Sequence, residues 1–440
     1  MKNLFFFFPF LILHFTNQIT VPIHSYSQSV IPYYISENPS LSFLSKEPIP
    51  GVSLYLGNPP QKMEFGLTTR SSFSWVASSK IEDQLLFKGL YNEDKSTSYT
   101  AKNVSHIFEF QDKIFFGELS EDYINIKSNV NIGRKKDSKF LFLLFTKKNQ
   151  FTKLENSTID GEISFNPFIS PKGDCRVSDK EYKDSSFINI LKSSHQIKNK
   201  KIAMTYSNKG GMMYIDENLK FKNFCHFNSD NRLSCKLTFL DMGEGNSISL
   251  RENATFFFDM NNHFILAPKE DGRKILTIYR VLMGDCSINE KNGKMFLICD
   301  KENIEQLEKT MKYLQFTFDN KNSFKIPLRD LFSMNEKGEM IFKVIADNYE
   351  SENNWKFGNV IFNSNVLEID YDNKKIFFDD IESFNILNDN ILDHSTRAMS
   401  RLFVLTCVLL VMCLITISYL LSVRCFINNK SNYIENYIFI

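Results

Sequence analysis

Apolar and polar residues alternate along much of the chain with the two-residue period of half-buried strands. Val52-Ser53-Leu54-Tyr55-Leu56 alternates and stops at Gly57-Asn58-Pro59-Pro60, a cluster of turn formers. Residues 62–76 resume with aromatic and β-branched side chains, and further strand-like runs cover 106–110, 123–126, 140–145, 212–215 and 359–362. Helical spacing is rare, and its candidates are 186–194, 273–283 and 303–313. Many short strands with few helices predict an all-β body.

The two ends break this pattern. Met1-Lys2-Asn3 followed by an apolar run over 4–15 reads as a signal peptide, assigned to 1–20, with cleavage between Asn17 and Ser25. That run is too short to span a bilayer. The run beginning at Leu402 and ending at Val423 holds no charged residue and reaches the ~20 residues a membrane helix needs. Arg401 precedes it, and Arg424 and Lys430 follow it, so the signal peptide does most of the orienting. The expectation is a single-pass type I membrane protein of the secretory pathway. Its body would be extracellular or lumenal, with a polar stem at 381–401, a span at 402–423 and a cytoplasmic tail at 424–440.

Composition narrows the function classes. The 440 residues carry 52 basic and 51 acidic side chains, a net charge of +1, which argues against a nucleic-acid-binding body. Cysteines agree with an oxidising compartment: Cys225 with Cys235 and Cys286 with Cys299 are spaced as short-loop disulfides, with Cys175 left over. No cysteine spacing matches a zinc site, so neither metal nor cofactor is expected. Asn103, Asn156 and Asn253 head N-glycosylation triplets on the secreted side, and Asn429 heads one on the cytosolic side. Tyr437-Ile438-Phe439-Ile440 has the tyrosine-x-x-apolar form of a trafficking signal, and Cys425 is placed for palmitoylation.

Leu56-Gly57-Asn58-Pro59-Pro60-Gln61-Lys62, running on to Ser71-Ser72-Phe73-Ser74-Trp75-Val76, resembles the first active-site region of pepsin-like aspartic proteases. In that family a Gly-Thr-Pro-Pro-Gln turn leads to Asp-Thr-Gly-Ser-Ser and then a Trp-Val pair, and the spacing here matches without a gap. Tyr91-Asn92 with Lys95-Ser96-Thr97-Ser98-Tyr99 is similar to the segment before the family's flap, and Gly117-Glu118-Leu119-Ser120-Glu121-Asp122 to the one after it. Asp160-Gly161-Glu162-Ile163 stands where the family has Asp-Gly-Ile-Leu-Gly-Leu. The second lobe repeats the logic. Phe258-Asp259 through Ala267-Pro268 resembles the second active-site region, and Trp355-Lys356-Phe357-Gly358-Asn359-Val360 resembles Trp-Ile-Leu-Gly-Asp-Val. Ile369-Asp370-Tyr371-Asp372-Asn373-Lys374-Lys375-Ile376 resembles the closing strand pair. Cys286 and Cys299 lie where the second lobe carries its disulfide. The resemblance implies a bilobed all-β pepsin-like fold, with lobes at 47–205 and 206–380.

The catalytic apparatus that this resemblance implies is incomplete. Aspartic proteases hold one water between two carboxylates that share a proton, because neighbouring like charges do not both ionise cheaply. Thr68 stands at the first aspartate position, and its hydroxyl cannot cycle a proton in the acid or neutral range. Thr69 agrees with the family, while Arg70 replaces a glycine. Asp259 keeps the second carboxylate, but Met260, Asn261, Asn262 and His263 replace Thr-Gly-Thr-Ser. Phe110 stands where the flap has a tyrosine. Losing one positioned acid–base group costs on the order of 10²–10⁴ in rate. The expected function is therefore non-catalytic binding of a peptide or protein through the inter-lobe cleft or outer surface, the cleft being lined by Thr69, Arg70, Phe110, Met260, Asn261 and His263. The alternative is an atypical membrane-anchored endopeptidase that works through Asp259.

Overall fold

The computed structural model describes residues 19–26, 48–69, 73–81, 89–110, 113–126, 139–148, 159–166, 185–207, 209–227, 233–243, 245–260, 262–291, 293–301, 312–318, 322–335, 337–348, 353–385 and 388, together with 412, 415, 416, 418 and 419. The chain divides into two units, 1–381 and 382–440. The first is mostly β and is organised as two sheets of fourteen and twelve strands.

The larger sheet opens with six antiparallel strands in the order Asn223–His226, Lys375–Asp380, Asn365–Asp370, Lys201–Ser207, Gly210–Ile215 and Ile19–Tyr26. Strands from the beginning, middle and end of the unit thus lie side by side. The expected lobe boundary at 205/206 falls inside Lys201–Ser207. Through Ile49–Leu56 the sheet continues into Gln61–Thr68, Gly161–Ser164, Trp75–Ala77, Phe140–Lys148, Lys113–Asp122 and Thr100–Phe110. The smaller sheet runs Asn322–Pro327, Tyr313–Phe318, Ser234–Asp241, Thr255–Phe258, Asn354–Phe357, Ile265–Pro268, Val344–Asp347, Lys294–Cys299, Met340–Phe342 and Phe332–Met334.

Phenylalanine supplies much of the packing. Phe378, on a strand of the larger sheet, stacks on Phe318 at 5.2 Å and Phe324 at 5.4 Å, both from the smaller sheet. Phe258 packs 5.8 Å from the same ring. Each such side chain, once fully buried, contributes roughly 1.5–3 kcal/mol of transfer free energy. The rings therefore tie the segment before Asp259 to the six-stranded stretch.

Most of the predicted strands are present, with two differences. The single run expected over 62–76 is two strands, Gln61–Thr68 and Trp75–Ala77, separated by a loop. The strand expected over 359–362 is instead a tight helical turn, Asn359–Asn363. At the end of the strand Asn354–Phe357, Gly358 passes against a neighbouring loop: a Cβ there would lie 2.4 Å from the Asn262 carbonyl oxygen and 2.5 Å from that of Phe264, so the position takes no side chain.

Two of the expected helices are present, as Phe187–Ser193 and Lys269–Met283. The second starts a turn earlier than its apolar spacing indicates. Lys269, Glu270 and Asp271 form a polar first turn after Pro268, acidic groups suit a helix N-terminus, and Gly284 (φ 76°) ends the helix. Of the third candidate, 303–311 lies outside the described residues, and Tyr313 begins a strand. Both expected disulfides, Cys225–Cys235 and Cys286–Cys299, are formed. Cys175 lies outside the described residues. Among those residues no helix is long and apolar enough to cross a membrane. Of the run 402–423, the described positions Met412, Ile415, Thr416, Ser418 and Tyr419 are helical and exposed.

Candidate functional site

Strand register shows that Thr68 and Asp259 hold equivalent places. Gln61–Thr68 runs parallel to Gly161–Ser164, with Thr68 opposite Ser164. Thr255–Phe258 runs parallel to Asn354–Phe357, with Phe258 opposite Phe357, so that Asp259 falls opposite Gly358. The returning strands agree. Seven residues after Thr68, Trp75 pairs with Glu162, two before Ser164. Seven residues after Asp259, Leu266 pairs with Lys356, two before Gly358. Each lobe thus has a strand entering a loop and a strand leaving it, on opposite sides of a third strand. The match of Thr68 to Asp259 rests on pairing alone, independently of any motif.

The two loops touch. Thr69, only 3% exposed, donates its hydroxyl to the carbonyl oxygen of Phe258 at 2.7 Å. The position equivalent to Thr69 in the second lobe is Met260, buried and without a hydroxyl to return the bond. A second tie comes from Tyr371, whose hydroxyl donates to the Phe165 carbonyl.

The first loop rests on buried polar groups. Ser164 N–H donates to Ser74 Oγ at 2.9 Å, Ser74 Oγ to the Ser185 carbonyl at 3.3 Å, and Asn166 Nδ2 to the Thr69 carbonyl at 2.9 Å. Phe165 N–H donates to the Thr68 carbonyl at 2.9 Å. Trp75 Nε1 donates to Glu162 at 3.0 Å, a carboxylate 1% exposed. Thr68 itself is fully buried.

The second loop closes on itself. Asp259 is 3% exposed, and Asn262 donates its side-chain amide to Asp259 Oδ2 at 2.5 Å and its backbone N–H to the Asp259 carbonyl at 3.0 Å. Asp259 N–H donates to the Phe357 carbonyl, and Asn359 N–H to that of Asn262. His263, also buried, has its Nδ1 3.1–3.3 Å from the side-chain amide of Asn359, and Asn359 Nδ2 reaches the Pro48 carbonyl at 3.4 Å. The carboxylate is thus an acceptor for its own loop.

Of the residues singled out from the sequence, Thr68, Thr69, Asp259, Met260 and His263 are all buried at or beside the two loops, and the bond from Thr69 to the Phe258 carbonyl joins one loop to the other. Arg70, Asn261 and Asn156 lie outside the described residues. Phe110 closes the long hairpin of Thr100–Phe110 and Lys113–Asp122, paired with Lys113. Asn103 and Asn253 are exposed. Among the described residues no group of three or more acidic, histidine or cysteine side chains is placed to hold a metal ion. A cavity of about 260 Å³, lined by Phe324, Asn365, Asp379 and neighbours, includes no residue of either loop. Sequence reasoning named Asn262, Ser74 and Glu162 only as motif positions, without the bonds they make, and missed Ser164 and Asn166. The signal that could have found them is a polar residue inside an otherwise apolar strand or loop exit.

A family model described as eukaryotic aspartyl protease matches residues 52–381, three quarters of the 440-residue chain. A search of curated proteins found no match.

Proposed function

The chain belongs to the eukaryotic aspartyl protease family, and from that premise we propose that it binds peptide or protein without cutting it. The observation that carries this reading is the pairing of Thr68 with the place of Asp259, combined with the bond from Asn262 to the Asp259 carboxylate. One carboxylate is missing, and the other is engaged within its own loop. The shared-proton mechanism requires two carboxylates, and with Thr68 at the first position Asp259 has no second carboxylate to share a proton with. A groove between two β lobes can still take an extended chain by backbone pairing.

The same reading includes a membrane tether through the run from Leu402 to Val423, with the body on the extracellular or lumenal side. Its supports are the two disulfides, the exposed Asn103 and Asn253 triplets, and the helical positions between Met412 and Tyr419, where Thr416 donates to the Met412 carbonyl one turn back. In this reading signal cleavage lies before Ile19, two residues short of the expected 1–20 boundary, which leaves the strand Ile19–Tyr26 whole for its pairing with Gly210–Ile215 and Ile49–Leu56.

The test is cleavage of a peptide library by the purified full-length chain from acid to neutral pH, with Asp259→Ala as control. The expected result is no cleavage above the variant's background and retention of a subset of the library. Cleavage abolished by Asp259→Ala would establish the rival, an endopeptidase working through Asp259.

A further inference from the structure

The six-stranded stretch of the larger sheet carries a carboxyl group in an apolar setting. Glu368 is 2% exposed, in the middle of Asn365–Asp370. Its cross-strand partners are Ala203 on one side and Phe377 on the other, neither of which can hydrogen-bond a carboxylate through its side chain. One row away, Asp370 pairs with Lys201 and Lys375 on its two flanks, and Lys201 Nζ lies 3.2 Å from Asp370 Oδ2. The Lys375 ammonium lies 4.4 Å from the ring centroid of Phe224. Two buried carboxyls thus share the Lys201 cation, and Asp370 holds it.

Besides Lys201, these paired strands place one further lysine on this face, Lys375, whose register partner is Asp370 and whose ammonium lies over the Phe224 ring. By alternation along the paired strands, Glu368 shares its face with Lys201 on Lys201–Ser207, Tyr214 on Gly210–Ile215, Lys375 and Asp379 on Lys375–Asp380, and His226 on Asn223–His226. Asp379 accepts from the Lys222 N–H and Asn223 Nδ2, both neutral donors. Glu217, at the far edge, accepts from Thr20.

We propose that Glu368 makes this stretch an acid-tightened joint: the sheet is closed while the carboxyl is protonated, and it opens locally when the carboxyl ionises. An uncompensated charge in a low-dielectric site is expensive, and separating the strands to admit water relieves it. The inference does not depend on whether the chain is catalytic.

Burial pushes Glu368 up to about 8, with Lys201 opposing the rise and Asp370 adding to it. The folded sheet therefore holds this proton more tightly than the open chain does. Stability that is fully present below about 4.5 is lost as pH climbs through 8, by on the order of 10³-fold in the opening equilibrium.

The experiment is hydrogen–deuterium exchange on the full-length chain, read as protection factors at a series of pH values from 5 to 9. In the wild type, protection over 201–207 and 365–370 is expected to fall on the order of 10²–10³-fold, and in Glu368→Gln less than about tenfold. Parallel falls in the two proteins would overturn the proposal, as would a flat wild-type profile. If Glu368→Gln fails to fold, the wild-type profile and Glu368→Leu decide by the same criteria.

Discussion

The loop after Thr68 and the loop after Asp259 fill equivalent places, yet their hydrogen bonds run differently. The first spends its polar groups outward, on Ser164, Ser185 and Asn166, and reaches across to the other lobe through Thr69. The second turns inward, with Asn262 bonded twice to Asp259. The contact between them is one-sided, since Met260 offers no hydroxyl. A catalytic pair of carboxylates needs both loops to present the same group to one point, and here the two loops share a backbone register but carry Thr68 and Asp259 at the matching places.

The position opposite each loop entry separates the lobes most sharply. Gly358 lies against two backbone carbonyls, so Gly358→Ala forces main chain apart and is expected to cost about 3 kcal/mol or more. Its counterpart Ser164 already carries a side chain, so Ser164→Ala loses a hydrogen bond to the Asn166 N–H and about 1 kcal/mol. Denaturant melts of the two variants check this. Equal losses would mean that the lobes are not built on the same register.

Asp259→Ala comes next. It leaves the buried amide of Asn262 without its acceptor, an expected cost of about 2 kcal/mol with no change in peptide capture. A loss of capture without a loss of stability would make Asp259 a ligand contact instead of a loop anchor. Thr69→Val is expected to cost about 1–1.5 kcal/mol by removing the inter-lobe bond to Phe258. Met260→Thr should not return that amount, because the first loop gains no new partner of known geometry.

The equivalence of the two loops was legible in the sequence, and the reason they differ was not. Gly57-Asn58-Pro59-Pro60, Trp75, Gly358 and the paired cysteines lie at spacings that the chain itself displays, and the strands around them follow from alternation. Asn262 and Ser74 look like ordinary loop residues, because their partners are set by how the chain folds back. The strand Ile19–Tyr26 was hidden for another reason: its apolar residues follow closely on the apolar run at 4–15, and its pairing with Gly210–Ile215 reveals it. Residues 359–362 read as a strand because burial alone gives a tight turn and a strand the same apolar run.

Acid and base should act on the two halves in opposite directions, and this is the smallest effect expected. Glu64, near the first loop, accepts from Ser53 at 2.5 Å and from Tyr26, and lies 2.7 Å from Lys62 Nζ. Burial works against its charge, but those partners outweigh it and hold the carboxyl below its ordinary value. Its contribution is present above about 4.5 and is lost as pH falls through the lowered value. Asp271, in the helix beside the second loop's exit strand, is raised by burial, with Lys274 only 3.9 Å away to oppose it. Its ionisation therefore weakens the fold as pH rises. Glu64→Gln is expected to flatten the acid limb of a stability–pH curve, and Asp271→Asn to lift the neutral limb, each by about 1 kcal/mol or less. Melting temperatures of the two variants at pH 3, 5 and 7 measure both. If both variants shift the same limb, the opposition between the halves is not electrostatic, and the divergence of the loops would have to be traced to packing instead.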